Sequence, residues 1–321
     1  MHTTPQHQSA SSPALLVGDS RPMQALWQII RKVGPTDANV LLTGESGTGK
    51  DLVARALHAH SHRSDQSMVK VDMGAISPHL FESEMFGHKK GAFTDARQDR
   101  DGRFTQAHGG TLFLDEIANL SPQGQQKLLV ALQQRRVTPL GANLSHEVDI
   151  RLICATNVGL ADLVAKKRFR SDLRFRINTV EIYLPPLRER KEDIPLLSGH
   201  FLKFFAEKHQ REHRPLTDAA LRHLLQHEWP GNVRELEHAI ERAVIMSEGR
   251  EIGSEAFRFH PAARPREGMY LETLHLDTVE RLVIQRALEK HAGNISQAAR
   301  ELGLTRTSLY RRLEKYGMKG E

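Results

Sequence analysis

The chain has a single cysteine in 321 residues, Cys154, which excludes a disulfide framework and fits a reducing cytoplasm. That cysteine lies in an apolar run, where a lone thiol packs as a small core residue. No stretch is long enough and apolar enough to span a bilayer, so no membrane partner is expected. The polar segment Met1–Pro13 lacks the apolar centre of a signal peptide or anchor and reads as a disordered tail. Internal repeats and low-complexity tracts are also missing. What remains, 39% hydrophobic and 26% charged residues, is the composition of an ordinary soluble protein with room for two or three domains. The net charge of +6 leans toward a polyanionic partner, although many soluble enzymes are equally basic.

Periodicity divides the chain. Met23, Leu26, Trp27, Ile30 and Val33 share one face of an amphipathic helix. Short apolar runs at 39–43, 68–72, 111–114 and 150–155 read as buried strands, and helical patterns at 51–60 and 121–134 lie between them. Apolar strands alternating with helices predict an α/β domain with a parallel sheet covered on both faces. Pro185 and Pro186 break the pattern, and everything after them is helical, at 194–208, 217–227 and 232–246. Gly253, Pro261, Pro265 and Gly268 mark a linker. The expected organisation is a tail at 1–13, an α/β domain at 14–185, a helical lid at 186–250, a linker at 251–270 and an all-α helix-turn-helix at 271–321.

Gly44-Glu45-Ser46-Gly47-Thr48-Gly49-Lys50 sits between a strand and a helix. Glycines permit the tight turn that aims backbone N–H groups at phosphates, the helix adds its positive end, and Lys50 reaches the terminal phosphates. Asp51 stands where Ser or Thr usually holds Mg²⁺; a carboxylate there can hold the ion through water. Thr111–Leu114 delivers Asp115 and Glu116 at the C-terminal end of a strand, where ligands bind in such sheets. Asp115 is placed to hold Mg²⁺ and Glu116 to polarise an attacking water. An apolar run ending in Asp-Glu is weak alone; downstream of the glycine loop it is specific.

With GESGTGK, ESEMFGHKKGAFTDA, GGTLFLDEI, FRSDLRFRIN, PPLRERKEDIP and WPGNVREL all present, the chain from about Leu15 to Leu313 resembles the NtrC-like bacterial enhancer-binding proteins. These are AAA+ activators of sigma-54 RNA polymerase. The resemblance implies ATP and Mg²⁺ as cofactors, a ring, the family's hexamer, and a projecting loop that touches sigma-54. That loop is Gly91, Ala92, Phe93 and Thr94, followed by Asp95 where the family has glycine. Asp95 raises two concerns, a backbone conformation natural to glycine and a negative charge at the loop tip. Phe93 as a core aromatic is the alternative. Asp72 replaces the asparagine that pairs with the catalytic glutamate in many members, and an Asp facing Glu116 would perturb the pair. Asn157 resembles the residue that senses the γ-phosphate, or is a strand-end turn. Arg170 and Arg176 resemble arginine fingers supplied to a neighbouring subunit, or are solvated surface. Arg234 resembles the lid arginine that reads nucleotide, or pairs with Glu235 or Glu237.

At the C-terminus, Ile295, Ala298, Ala299 and Leu302 share a helix face, Gly303 turns, and Thr305 caps a second helix with Leu309 and Leu313 inward. In a helix-turn-helix this second helix enters the major groove of double-stranded DNA. Arg306 and Thr307 are expected at base edges, Arg311 and Arg312 at phosphates, with Thr305 and Ser308 beside them. A helical dimerisation module with a basic face is the alternative. Leu282–Leu288 belongs to a preceding helix, a dimer contact by expectation.

Three functions compete. The leading one is a sigma-54-dependent activator that binds upstream DNA and hydrolyses ATP to open the polymerase complex. The second is a DNA-bound ATPase, repressor or nucleotide sensor, that does not engage sigma-54; Asp95 favours it. The third is a remodelling chaperone or helicase loader, against which the helix-turn-helix and Phe93 count. The stretch before Leu15 has no room for a receiver or ligand-sensing domain, so regulation from outside the ATPase is expected.

Overall fold

A computed structural model describes residues 16–259, 276–291 and 293–318. The tail at 1–13 and most of the expected linker lie outside them. The chain divides into two units, Met1–Arg258 and Phe259–Glu321.

The first unit is built on five parallel strands, β1 (Val40–Thr43), β2 (Met68–Asp72), β3 (Thr111–Asp115), β4 (Arg151–Thr156) and β5 (Val180–Tyr183). They are ordered β2-β3-β4-β1-β5. The three central strands are buried along nearly their whole length, because helices cover both faces and no residue can turn to water. Side chains alternate between the two cores. Leu41, Leu112, Leu114, Leu152 and Cys154 face one, with Leu128 and Leu173; Val40, Leu42, Phe113, Ile153 and Ala155 face the other, with Ile30 and Val53. Burial pushes the Cys154 thiol up, so it stays a neutral packing group. β5 was not foreseen: its VEIY run is half exposed and lacks a strand's apolar signature.

Helix α1 (Arg21–Val33) buries Met23, Leu26, Ile30 and Val33, the stripe its spacing predicts. Helix α2 (Lys50–Ala59) starts directly from the glycine loop. Arg151 is fully buried at the start of β4. It donates to the carbonyls of Val33, Gly34 and Leu57 at 3.1, 2.7 and 3.2 Å, carbonyls at the ends of α1 and α2. Carbonyls at helix C-termini carry the negative end of each helix dipole, which suits a cation.

Beyond the Pro185-Pro186 pair lie α3 (Ile194–Lys208), α4 (Asp218–Gln226) and α5 (Asn232–Met246). Trp229 is fully buried among them and donates its indole N–H to Leu224 O at 2.9 Å. The expected linker begins too early. Ile252 bridges to Leu216 and is 1% exposed, and Phe257 is 2% exposed, so apolar burial holds 251–258 on the lid. Among the described residues no helix is long and apolar enough to cross a membrane.

The second unit contains α6 (Leu276–Lys290), α7 (Ile295–Glu301) and α8 (Arg306–Lys315) around Ile284, Ala287, Ile295, Ala298, Ala299, Leu309 and Leu313. Asn294 caps α7 through the N–H groups of Ser296 and Gln297, Gly303 turns the chain at φ 67°, and Thr305 caps α8 through Ser308 N at 3.2 Å. This is the expected helix-turn-helix spacing.

Candidate active site

Because the strands are parallel, everything that follows β1, β3 and β4 meets at one edge of the sheet. The glycine loop follows β1, Asp115 and Glu116 close β3, and Asn157 follows β4. They line a cleft of about 320 Å³ that also includes Leu16, Val17, Lys70 and Arg234. That volume falls within the range of small-ligand sites. Of the sequence-derived residues, the cleft collects Ser46 through Asp51, Asp115, Glu116, Asn157 and Arg234. Arg170 and Arg176 do not reach it. Arg170 forks onto its neighbour Asp172 at 3.0 and 2.7 Å, and Arg176 donates to Leu132 O at 2.8 Å.

Lys50 folds back in the cleft, donating to Gly44 O and Glu45 O at 2.8 and 2.9 Å. Burial pulls its ammonium below the usual lysine range, Asp115 opposes that, and Arg234 reinforces it. The lid grips the loop from the other side. Arg188 donates to both oxygens of Glu45 at 2.8 and 2.5 Å, and the Asn232 amide reaches Glu45 and Ser46 O at 3.1 and 3.0 Å. Arg188, then Asn232, hold the Glu45 carboxyl down to about 2 from its ordinary 4.5. Buried Arg190 donates to Thr48 O at 2.9 Å. Gly47 is fixed by two demands at once: its φ is 78°, and a Cβ there would lie 2.2 Å from Gly231 O of the lid. Arg234 donates to Ser46 Oγ at 3.2 Å, while Glu235 turns to Gly231 N at 2.8 Å. The lid arginine thus reads the loop and leaves Glu235 to its own backbone.

Glu116 has a left-handed φ of 54°, a strained backbone conformation for a non-glycine residue. The Asn119 amide donates to its Oε2 at 2.7 Å. Asp72 lies opposite Asp115 in the β2–β3 register, but its carboxylate accepts from Gly74 N at 2.8 Å. The amide expected on Glu116 therefore comes from three residues downstream of it. Lys70 is the second unforeseen group: its Nζ lies 3.0 Å from Asp51 Oδ1 and 3.5 Å from Asp115 Oδ2. His200 is the third. It lines the cleft, and its Nε2 is shut off from water without a hydrogen-bond partner among the described residues. The alternation of M-V-K-V-D places Lys70 on the same strand face as Asp72, the one signal that could have found it.

The Phe93 loop lies elsewhere, closed by backbone bonds from Gly91 N to Ala96 O at 2.8 Å and Ala96 N to Phe93 O at 2.9 Å. Phe93 is 42% exposed, which rules out a core role, and its ring meets His88 edge-on at 4.9 Å. His88 is itself fixed by Ser83 Oγ at 2.7 Å. Asp95 is exposed and is not among the described residues with positive φ, so position 95 does without the glycine conformation, which Gly91 at φ 82° does adopt. Of the two concerns about Asp95, only the charge survives.

Sequence models of three kinds match in succession: the sigma-54 interaction domain over residues 16–183, the AAA+ ATPase lid domain over 188–269, and the Fis family of bacterial regulatory proteins over 275–316. The chain belongs to the sigma-54 activator family. It is 50% identical over 301 residues to the transcriptional regulatory protein ZraR of Salmonella typhimurium, covering 94% of this chain and 68% of that one. The C4-dicarboxylate transport regulator DctD of Rhizobium meliloti is 41% identical, over 97% and 66% of the two chains. Among solved structures, NtrX from Brucella abortus in complex with ATP shares the fold with a TM-score of 0.72 and 32% identity, over 96% of this chain and 70% of that one. As a family member the chain combines an AAA+ ATPase fold with a Fis-type DNA-binding domain. On α8 of that domain, Arg306, Thr307 and Arg311 are exposed, and Arg306 lies 5.7 Å from the Tyr310 ring. Arg312 departs from expectation. Its Nε donates to Glu280 at 2.6 Å and its Nη1 to Ser308, so both side chains serve the domain's own packing.

Proposed function

We propose that the protein activates sigma-54 promoters by hydrolysing Mg-ATP in a ring assembled on upstream DNA. The observation that carries this reading is the meeting of Lys50, Asp115, Glu116, Asn157 and the lid's Arg234 around one cleft. Lys50, now on loop carbonyls, moves to the terminal phosphates. Glu116 takes the proton of the attacking water on the oxygen that Asn119 leaves free. Asp115 and Asp51 would hold Mg²⁺: their carboxylates already converge on one cation, the Lys70 ammonium, and hard oxygen donors suit the ion. Mg²⁺ supplies charge neutralisation on the transferring phosphoryl group. Arg170 and Arg176, exposed and away from their own cleft, serve a neighbour's, which requires the ring. Arg234 carries the nucleotide state to the lid. The exposed Gly91–Thr94 segment touches sigma-54, and Arg306 and Thr307 meet base edges with Arg311 on phosphate. Such a protein works in the cytoplasm.

Asp95 favours a second reading, a DNA-bound ATPase that does not engage sigma-54, because its charge is exposed at the loop tip. In vitro transcription from a supercoiled sigma-54 promoter, with ATP hydrolysis assayed on the same samples, separates them. Open complexes that need ATP and vanish in Phe93→Ala with hydrolysis intact support activation. Hydrolysis and DNA binding without open complexes, restored by Asp95→Gly, support the second reading.

A further inference from the structure

Lys70 is a cation in the wrong place for a simple surface residue. It projects from the edge strand β2 into the nucleotide cleft, its ammonium nitrogen 5.6 Å from the centre of the Phe113 ring. Its ammonium sits between Asp51 Oδ1 at 3.0 Å and Asp115 Oδ2 at 3.5 Å. Asp51 Oδ1 is shut off from water, and the Asp51 and Asp115 side chains are 33% and 22% exposed, so both carboxylates are partly shielded and favour a nearby positive charge. Asp51 also meets Arg55 through its other oxygen at 3.3 Å, on the outer side of the helix. The cleft-side oxygens are therefore left to Lys70 alone among the described side chains.

We propose that Lys70 is an internal counter-cation of the nucleotide site, competing with Mg²⁺ for Asp51 and Asp115 and lending its charge to the phosphates when the metal is absent. The inference rests on the nucleotide-binding reading above. Its physics is simple. Mg²⁺ needs oxygen ligands at about 2.0–2.1 Å and sheds water reluctantly. A carboxylate oxygen already facing an ammonium is open to the ion only when that ammonium leaves. The flexible four-carbon stem lets Lys70 withdraw without disturbing the strand. In its withdrawn or bridging position the charge remains inside the cleft, beside Lys50, where it attracts phosphate. Lys70 thus acts on the metal as a competitor and on the nucleotide as a partner, and removing it has opposite effects on the two.

Lys70→Met keeps the stem's packing and removes the charge; Lys70→Arg keeps a charge. Binding of N-methylanthraniloyl-ATP to the full chain is measured by fluorescence, once in EDTA and once across a Mg²⁺ titration. In Lys70→Met, metal-free binding is expected to weaken about fivefold and the half-saturating Mg²⁺ concentration to fall about fivefold, the size of a partly exposed ion pair. Lys70→Arg is expected to stay near wild type in both. A structural role would move both measurements in the same direction and lower the melting temperature by circular dichroism. Two shifts of the same sign, or an unchanged Mg²⁺ midpoint in folded Lys70→Met, overturns the proposal alone. Wild-type protein that binds no nucleotide under either condition overturns the nucleotide reading and the proposal with it.

Discussion

Two loops of the ATPase unit are held in opposite ways. The phosphate loop is gripped from outside: Arg188 and Asn232 hold Glu45, Arg190 holds Thr48 O, and the lid backbone presses on Gly47. The Phe93 loop is held by its own backbone turns, by the ring contact to His88 and by the close approach of Ala92 to Gly141, with no side-chain clamp of the kind that grips Glu45 among the described residues. The difference explains which loop can bear a changed residue. Asp95 adds a side chain that points into solvent and needs no special φ, whereas a methyl group on Gly47 would collide with another domain element.

That contrast can be broken experimentally. Gly47→Ala forces a left-handed φ on alanine and pushes on Gly231 O; it is expected to cost about 2–3 kcal/mol and to weaken nucleotide binding at least about tenfold. Thermal unfolding and nucleotide titration check both. Glu45→Gln loosens the same loop less, by about 1 kcal/mol at neutral pH, a figure that allows for the solvent screening of a partly exposed pair. Its pH dependence is specific. A carboxylate held down to about 2 from 4.5 stabilises fully above 4.5 and loses that contribution as pH falls through about 2. The stability gap between wild type and Glu45→Gln should therefore narrow below pH 4.5 and close below about 2. On the other loop, Phe93→Ala is expected to change stability by less than about 1 kcal/mol, because the ring is already 42% exposed, and to leave ATP hydrolysis intact. Asp95→Gly should be smallest, within about 0.5 kcal/mol in the melting curve, since an exposed residue in an unstrained conformation is replaced. A loss above 2 kcal/mol in either variant would mean that the Phe93 loop is braced as firmly as the phosphate loop.

The same division decides what the sequence made legible. Contiguous signals survive translation into structure: the helix stripe of Met23 to Val33, the fully buried central strands, the glycine loop, the Asp115-Glu116 pair and the Thr305 cap each depend on neighbours within one turn or one strand. Groups whose roles depend on register or distant contact did not show. Lys70 meets Asp51 and Asp115 only because β2 lies beside β3. Asn119 takes the amide position on Glu116 because a 3-10 turn follows that glutamate's left-handed backbone. Arg312 looks outward on a helical wheel, yet Glu280, on a separate helix of the same unit, draws it in. The lid's hold on Glu45 joins residues more than a hundred positions apart, which no local pattern announces.

Helix α2 has a polarity that links binding to folding. Its first turn faces the cleft, where exposed N–H groups and Lys50 favour an anion. At the opposite end the Leu57 carbonyl is met by buried Arg151, whose Nε has no hydrogen-bond partner among the described residues. One short helix is thus a polarised strut with a cation built into its foot and an opening for phosphate at its head. A sheet that failed to bring β4 beneath α2 would leave an uncompensated dipole below and a burdened guanidinium in the core, so the capacity to attract phosphate at one edge is inseparable from correct assembly at the other.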